Sequence, residues 1–170
     1  MKKNKKILLI SGTSKGLGKD LSKYFIKKNF AVYGCSRNKL NLNSRLYNHS
    51  VFDVNSEVEI RKWVEKIYKK HKRIDYLINN VALIPTSYPS ILNNKELVLK
   101  VFKTNVVSQI NLINEVGKKM IKKKFGRIIS FSSMAAGLLE EGTSLYSASK
   151  SSIETYSKIV SKELAKANVT

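Results

Sequence analysis

Tyr146 and Lys150 stand four residues apart in Tyr146-Ser-Ala-Ser-Lys150, where a helical pattern begins. On a helix, positions i and i+4 share one face with about 6 Å of rise between them, so Lys150 holds positive charge close to the Tyr146 phenol. A free tyrosine, with a pKa of about 10, does little acid–base work near neutrality; a neighbouring cation favours phenolate, each tenfold gain in acidity being worth about 1.4 kcal/mol. A phenol tuned in this way trades protons with an alcohol or a carbonyl. Farther along, Ile153, Tyr156, Ser157, Val160 and Leu164 fall near the same face, while Lys158, Lys162, Glu163 and Lys166 fall mostly on the other. The pair therefore opens a buried stripe, a pattern that an ordinary amphipathic helix start also shows. Thirteen residues upstream of Tyr146, Ser133 closes Gly126-Arg-Ile-Ile-Ser-Phe-Ser-Ser133, which reads as a buried strand ending in small hydroxyl residues.

A serine at a strand end followed by Tyr-x-x-x-Lys at the next helix resembles the signature of the short-chain dehydrogenase/reductase family. The resemblance runs the length of the chain and is strongest to the small bacterial 3-oxoacyl-carrier-protein reductases. It implies that Tyr146 is the general acid/base, that Lys150 lowers its pKa and holds the nicotinamide ribose, and that Ser133 steadies the substrate oxygen. The implied reaction is hydride transfer between a nicotinamide and a carbonyl or secondary alcohol.

The elements around these residues must position a dinucleotide. The apolar run Ile7-Leu-Leu-Ile10 leads into Ser11-Gly12-Thr13-Ser14-Lys15-Gly16-Leu17-Gly18 and then into a helical pattern bearing Leu21, Tyr24 and Phe25. Gly12 permits a tight turn, Gly16 lets backbone approach a pyrophosphate, and Gly18 lets helix and strand pack closely, with the helix N-terminus facing the anion. The G-x-x-x-G-x-G spacing matches the short-chain reductase form, and Ser14, Lys15 and Leu17 complete the expected cofactor turn. An acid at the end of the second strand would bond the ribose 2′-hydroxyl of NAD. The residues there are Gly34-Cys35-Ser36-Arg37, and with Lys15 they offer two cations to a 2′-phosphate, which predicts NADP(H) in preference to NAD(H).

By the same resemblance, Asp53 bonds the adenine amine and Val54 flanks its ring, although Asp53 also competes with Ser56 to cap the following helix, where Ser56 and Glu59 form a capping-box pattern. Asn79-Asn80-Val81-Ala82 stands where the family has Asn-Asn-Ala-Gly, so Asn80, Val81 and Ala82 are expected to line the cofactor ribose with a bulkier backbone. Asn105 interrupts the apolar stripe of Val98, Phe102, Leu112, Val116 and Met120. A buried amide there serves either a backbone hydrogen bond or, as the resemblance implies, a water-mediated proton relay to Lys150.

Short apolar runs near 6–11, 31–36, 49–53, 74–79 and 126–132 alternate with helical patterns near 16–28, 56–71, 94–124 and 144–167, with at most a turn or two of helix in 39–48. This predicts an α/β fold of Rossmann type: a doubly wound parallel sheet with helices on both faces. One NADP(H)-binding domain over residues 1–170 is expected. Against the family pattern the chain stops short of the last strands, so a C-terminally incomplete and catalytically weak dinucleotide-binding module is the alternative expectation. A single cysteine, Cys35, and histidines only at 49 and 71 give no metal-ligand spacing. No apolar run spans a membrane or forms a signal core, and a cytoplasmic location is expected. The net charge of +20 rests on 27 lysines against 5 arginines spread over helix faces, which argues against sequence-specific nucleic-acid recognition. The expected partners are a small-molecule or carrier-linked carbonyl substrate and, by family analogy, further copies in a homodimer or homotetramer.

Overall fold

Five parallel strands form the centre of the chain, which is described for residues 5–87 and 89–170 by a computed structural model. The strands are β1 (Ile7–Ser11), β2 (Ala31–Ser36), β3 (Tyr47–Val51), β4 (Tyr76–Asn79) and β5 (Arg127–Ser130), in the order β3-β2-β1-β4-β5. Side chains alternate across a strand, so Ile7 and Leu9 of β1 enter one cluster while Leu8 and Ile10 enter another. A central parallel strand is covered on both faces, which is why β1 reads as an unbroken apolar run. One face packs α1 (Gly16–Lys27) through Leu21 and Phe25. The other packs α2 (Glu57–His71), α4 (Ser108–Lys123) and α6 (Ser144–Leu164) through residues such as Trp63, Ile67, Leu112, Met120 and Leu164. Between them in the chain lie the short helices α3 (Lys95–Phe102) and α5 (Ala135–Leu138).

After β3 at one edge, the chain crosses to the far side of β1 to form β4. Such a reversal of strand order opens a crevice at the carboxyl ends of the strands, the place where doubly wound sheets bind ligands.

Several boundaries differ from the sequence expectation, each for a local reason. β3 occupies 47–51, two residues earlier than 49–53, because parallel pairing with β2 sets Tyr47 against Val32 and Val51 against Ser36. Residues 39–46 carry no helical turn; Leu40 and Leu42 instead pack against the α1-side cluster. The helix expected over 94–124 is divided by a π-helical turn at Lys103–Val107, in which Asn105 is buried. Ser56 caps α2 by accepting the Glu59 N–H at 3.4 Å, but the Glu59 carboxylate pairs with Lys62, so the reciprocal half of the capping box is absent. Past α6 and a 3-10 turn at Ala165–Ala167, Asn168 adopts a left-handed conformation (φ 54°), and Val169 bridges Gly126 in parallel. Residues 169–170 thus make the first bridge of a strand beside β5. None of the described helices is long and apolar enough to cross a membrane.

Candidate active site

Three strand ends converge on the crevice. β1 runs into the glycine turn, β4 into Asn79-Asn80, and β5 into Phe131-Ser132-Ser133. The first two are tied together by Asn80: its backbone N–H donates to Ser11 Oγ at 3.0 Å, and its Nδ2 donates to the carbonyls of Ser11 (3.2 Å) and Gly12 (3.0 Å). Its amide thus shapes the glycine turn. Phe131 N–H in turn donates to Asn79 O at 3.3 Å, extending the link from β4 to β5.

Lys150 completes the chain of contacts. Its side chain is 2% exposed, its Nζ donates to Phe131 O at 2.7 Å, and the same Nζ lies 5.8 Å from the centroid of the half-buried Tyr146 ring. The i,i+4 spacing thus places the ammonium against the phenol ring, and the bond to Phe131 fixes it at the end of β5. Burial pushes the Lys150 ammonium below the ordinary 10.5. Between the folded and unfolded values the unfolded chain binds more protons, so stability rises with pH across that interval. Wild type should therefore gain stability relative to Lys150→Met as pH approaches 10.5. Urea unfolding of both proteins over the alkaline range measures the gain, and a difference that stays flat or shrinks with pH would contradict it.

Ser133 sits two residues beyond Phe131, where its Oγ accepts the Ala135 N–H at 3.2 Å at the entry to α5. Asn105 is fully buried, and its side chain is spoken for on both sides: Nδ2 donates to Leu83 O (2.9 Å) and Ser149 Oγ (3.0 Å), and Oδ1 accepts the Leu83 N–H (2.7 Å). Ser149 Oγ donates to the Tyr146 carbonyl at 2.7 Å. Asn105 therefore clamps the loop after β4 to the turn of α6 that carries Tyr146, which is the backbone hydrogen-bonding alternative for this buried amide.

On the cofactor side, Gly12 and Gly16 take positive φ (75° and 54°), and a Cβ on Gly18 would overlap Gly12 O. The N-termini of α2 and α3 are capped by Ser56 and Asn94 and carry acids in the first turn; α1 has neither a side-chain cap nor an acid. Its leading N–H groups, with exposed Lys15, Leu17 and half-buried Ser14 around them, fit an anion. Arg37 is exposed beyond the end of β2, and no carboxylate pairs with it among the described residues. The donor set fits a dinucleotide.

Asp53 and Val54, expected on the adenine side, are engaged by their own neighbours. One carboxylate oxygen of exposed Asp53 accepts the Asn55 N–H at 2.9 Å, and Val54 is 4% exposed within the core cluster, so its side chain supports the site from beneath. Val81 is half-buried, with Cγ2 3.0 Å from the position of a Cβ on Gly12; the bulkier loop fits because residue 12 has no side chain. Ala82 is exposed beside it.

Gly34, Tyr47 and His49 join the site without any motif in the sequence to announce them. A Cβ on Gly34 would lie 2.5 Å from both Thr13 Oγ1 and Tyr47 OH. Glycine inside a strand is a signal of close approach, and it was available at this position.

Residues 6–170 match the short chain dehydrogenase family. The chain is 33% identical to the 3-oxoacyl-[acyl-carrier-protein] reductase of Buchnera aphidicola subsp. Acyrthosiphon pisum, over 98% of its own length and 70% of that protein's. Its fold is similar to that of ElxO with NADP bound (TM-score 0.93, 24% identity, 98% of this chain, 71% of that one). It is similar also to NAD+-bound xylitol dehydrogenase (TM-score 0.90, 22% identity, 99% and 68%). The chain belongs to the short-chain dehydrogenases, oxidoreductases that act on carbonyl and alcohol groups, and it spans about seven-tenths of the length of the curated relative it matches.

Proposed function

We propose that the protein is an NADP(H)-dependent reductase of a carbonyl carried on an apolar chain, with Tyr146 as the general acid. The observation that carries this reading is the buried Lys150 ammonium held against the Tyr146 ring at the mouth of the crevice, with the uncapped start of α1 opening into the same crevice. A bound nicotinamide supplies the hydride. The Tyr146 hydroxyl delivers the proton to the carbonyl oxygen, Lys150 stabilises the phenolate left behind, and the Ser133 hydroxyl donates to that same oxygen. Asn105 holds the helix turn under Tyr146.

The loops after β4 and β5 leave the sheet side by side because those strands are neighbours. They expose Ile84, Ile91, Leu92, Met134, Leu138 and Leu139, an apolar rim suited to an aliphatic substituent. A fatty acyl group delivered on an acidic carrier would satisfy both that rim and the basic surface, and the similar Buchnera protein is named for reducing 3-oxoacyl groups on acyl-carrier protein. Small residues along α6, exposed Ala148 with half-buried Ser151 and Ser152, offer a close-packing face for a second copy.

The deciding experiment is NADPH oxidation by the intact protein against ketones, 3-oxoacyl thioesters and keto sugars. Turnover of the thioesters is expected. Stoichiometric NADPH binding with no turnover across the panel would leave only the non-catalytic module. For the cofactor, Arg37→Ser should weaken NADPH about ten- to a hundredfold with little change for NADH, since losing a charge-assisted hydrogen bond removes about 1.5–3 kcal/mol. Fluorescence titration with both dinucleotides checks it, and equal losses for the two would argue against a 2′-phosphate contact.

A further inference from the structure

Tyr47 and His49, neighbours on the same face of edge strand β3, reach behind the phosphate turn into a hydrogen-bonded cluster that the proposed reaction does not use. Tyr47 OH lies 2.9 Å from Thr13 Oγ1 and 2.8 Å from His49 Nδ1, and Thr13 is fully buried. On the other side of the ring, His49 Nε2 is 3.1 Å from both Asn38 O and Ser36 Oγ, and Ser36 Oγ donates to Asn38 O at 2.7 Å. A carbonyl only accepts, so Nε2 carries the proton and donates to Asn38 O, and Nδ1 is the acceptor for the Tyr47 or Thr13 hydroxyl. Burial pushes the imidazole below its ordinary range, in keeping with that neutral form. The slot exists because residue 34 has no side chain: a Cβ there would meet both the Thr13 and the Tyr47 hydroxyls.

The Asn38 carbonyl thus receives two donors, one from Ser36 and one from His49, and the residue enclosed between Ser36 and Asn38 is Arg37. The other end of the cluster is Thr13 in the glycine turn, whose backbone N–H also donates to Cys35 O at 3.2 Å. We infer that His49 is a specificity-determining positioning residue: it locks the Ser36–Asn38 turn to the phosphate turn so that Arg37 is held where an adenosine 2′-phosphate would sit. The inference rests on the NADP(H) reading. It predicts that breaking the Nε2 contact weakens recognition of the 2′-phosphate and leaves recognition of the rest of the nucleotide intact.

Calorimetric titration with 2′,5′-ADP and with 5′-ADP tests this without any turnover. His49→Asn, whose amide reaches only to the depth of Nδ1, should lose about fivefold in affinity for 2′,5′-ADP, the equivalent of one net hydrogen bond, and little for 5′-ADP. His49→Gln, whose amide nitrogen can take the place of Nε2, should restore the ratio of the two affinities. If His49→Asn does not fold, Tyr47→Phe, which removes the partner of Nδ1, should lower the same ratio in a smaller step. Wild type that does not prefer 2′,5′-ADP would overturn this inference together with the NADP(H) reading. Wild type that prefers it, with His49→Asn or Tyr47→Phe keeping the wild-type ratio, would overturn the inference alone. A folded His49→Asn that loses both ligands equally would reduce His49 to a structural residue.

Discussion

Tyr146→Phe should lower kcat for carbonyl reduction by about 10²- to 10⁴-fold, the range for losing a positioned general acid. NADPH binding and the melting temperature should hardly change. The contrast follows from what the substitution removes. The ring stays against the Lys150 ammonium, so the cation–π contact and the buried position of Lys150 persist. Among the described residues none hydrogen-bonds the Tyr146 hydroxyl, and its backbone carbonyl, not its phenol, receives Ser149. Only the transferable proton is lost. Steady-state kinetics with saturating NADPH, run beside thermal unfolding, separates these outcomes. A Tyr146→Phe enzyme within a few-fold of wild type in kcat would falsify the assignment of the acid, and one that melts much earlier would show that the phenol oxygen has a structural partner.

Elements with strong local signals were legible in the sequence. The five apolar runs became five strands and the glycine turn fell between β1 and α1, because chain periodicity and positive-φ glycines are local properties. The i,i+4 rule put Lys150 beside Tyr146, since helix geometry alone determines that contact. What was not legible depends on partners distant in the chain. Nothing near Asn105 announces Leu83 and Ser149, which lie 22 and 44 residues away, so its amide could be read as solvent-linked or clamped until the π-helical turn placed it. The partners of the Asn80 amide, the carbonyls of Ser11 and Gly12, stand nearly 70 residues earlier and were equally hidden. Val54, three residues past the end of β3, turns into the core cluster that α2 also fills. Tyr47 lay outside the predicted strand because only register against β2 extends β3 back to it.

Gly18→Ala should be the most damaging single-methyl change in the cofactor turn, lowering stability by about 3 kcal/mol as overpacking at a backbone contact. At about 2–4 °C per kcal/mol for a domain of this size, the melting temperature should fall by roughly 6–12 °C. The added carbon would overlap Gly12 O and sit 2.6 Å from Asn80 Nδ2. Neither neighbour has room to retreat. Gly12 is held at φ 75° with its N–H donating to Cys35 O at 2.8 Å, and Asn80 Nδ2 is bonded to the carbonyls of Ser11 and Gly12. Relief therefore requires α1 to move off β1, which carries its uncapped N-terminus away from the phosphate position and weakens NADPH as well. Gly16→Ala is the internal comparison. A Cβ there meets nothing within 4 Å, so its cost is confined to the left-handed φ of 54°, about 1–2 kcal/mol. Steric overlap at the helix–strand contact and backbone handedness thus make different demands on two glycines two residues apart. Thermal unfolding of the two variants ranks them, and a Gly16→Ala protein that melts below Gly18→Ala would mean that backbone handedness, not the contact of α1 with the end of β1, limits this turn.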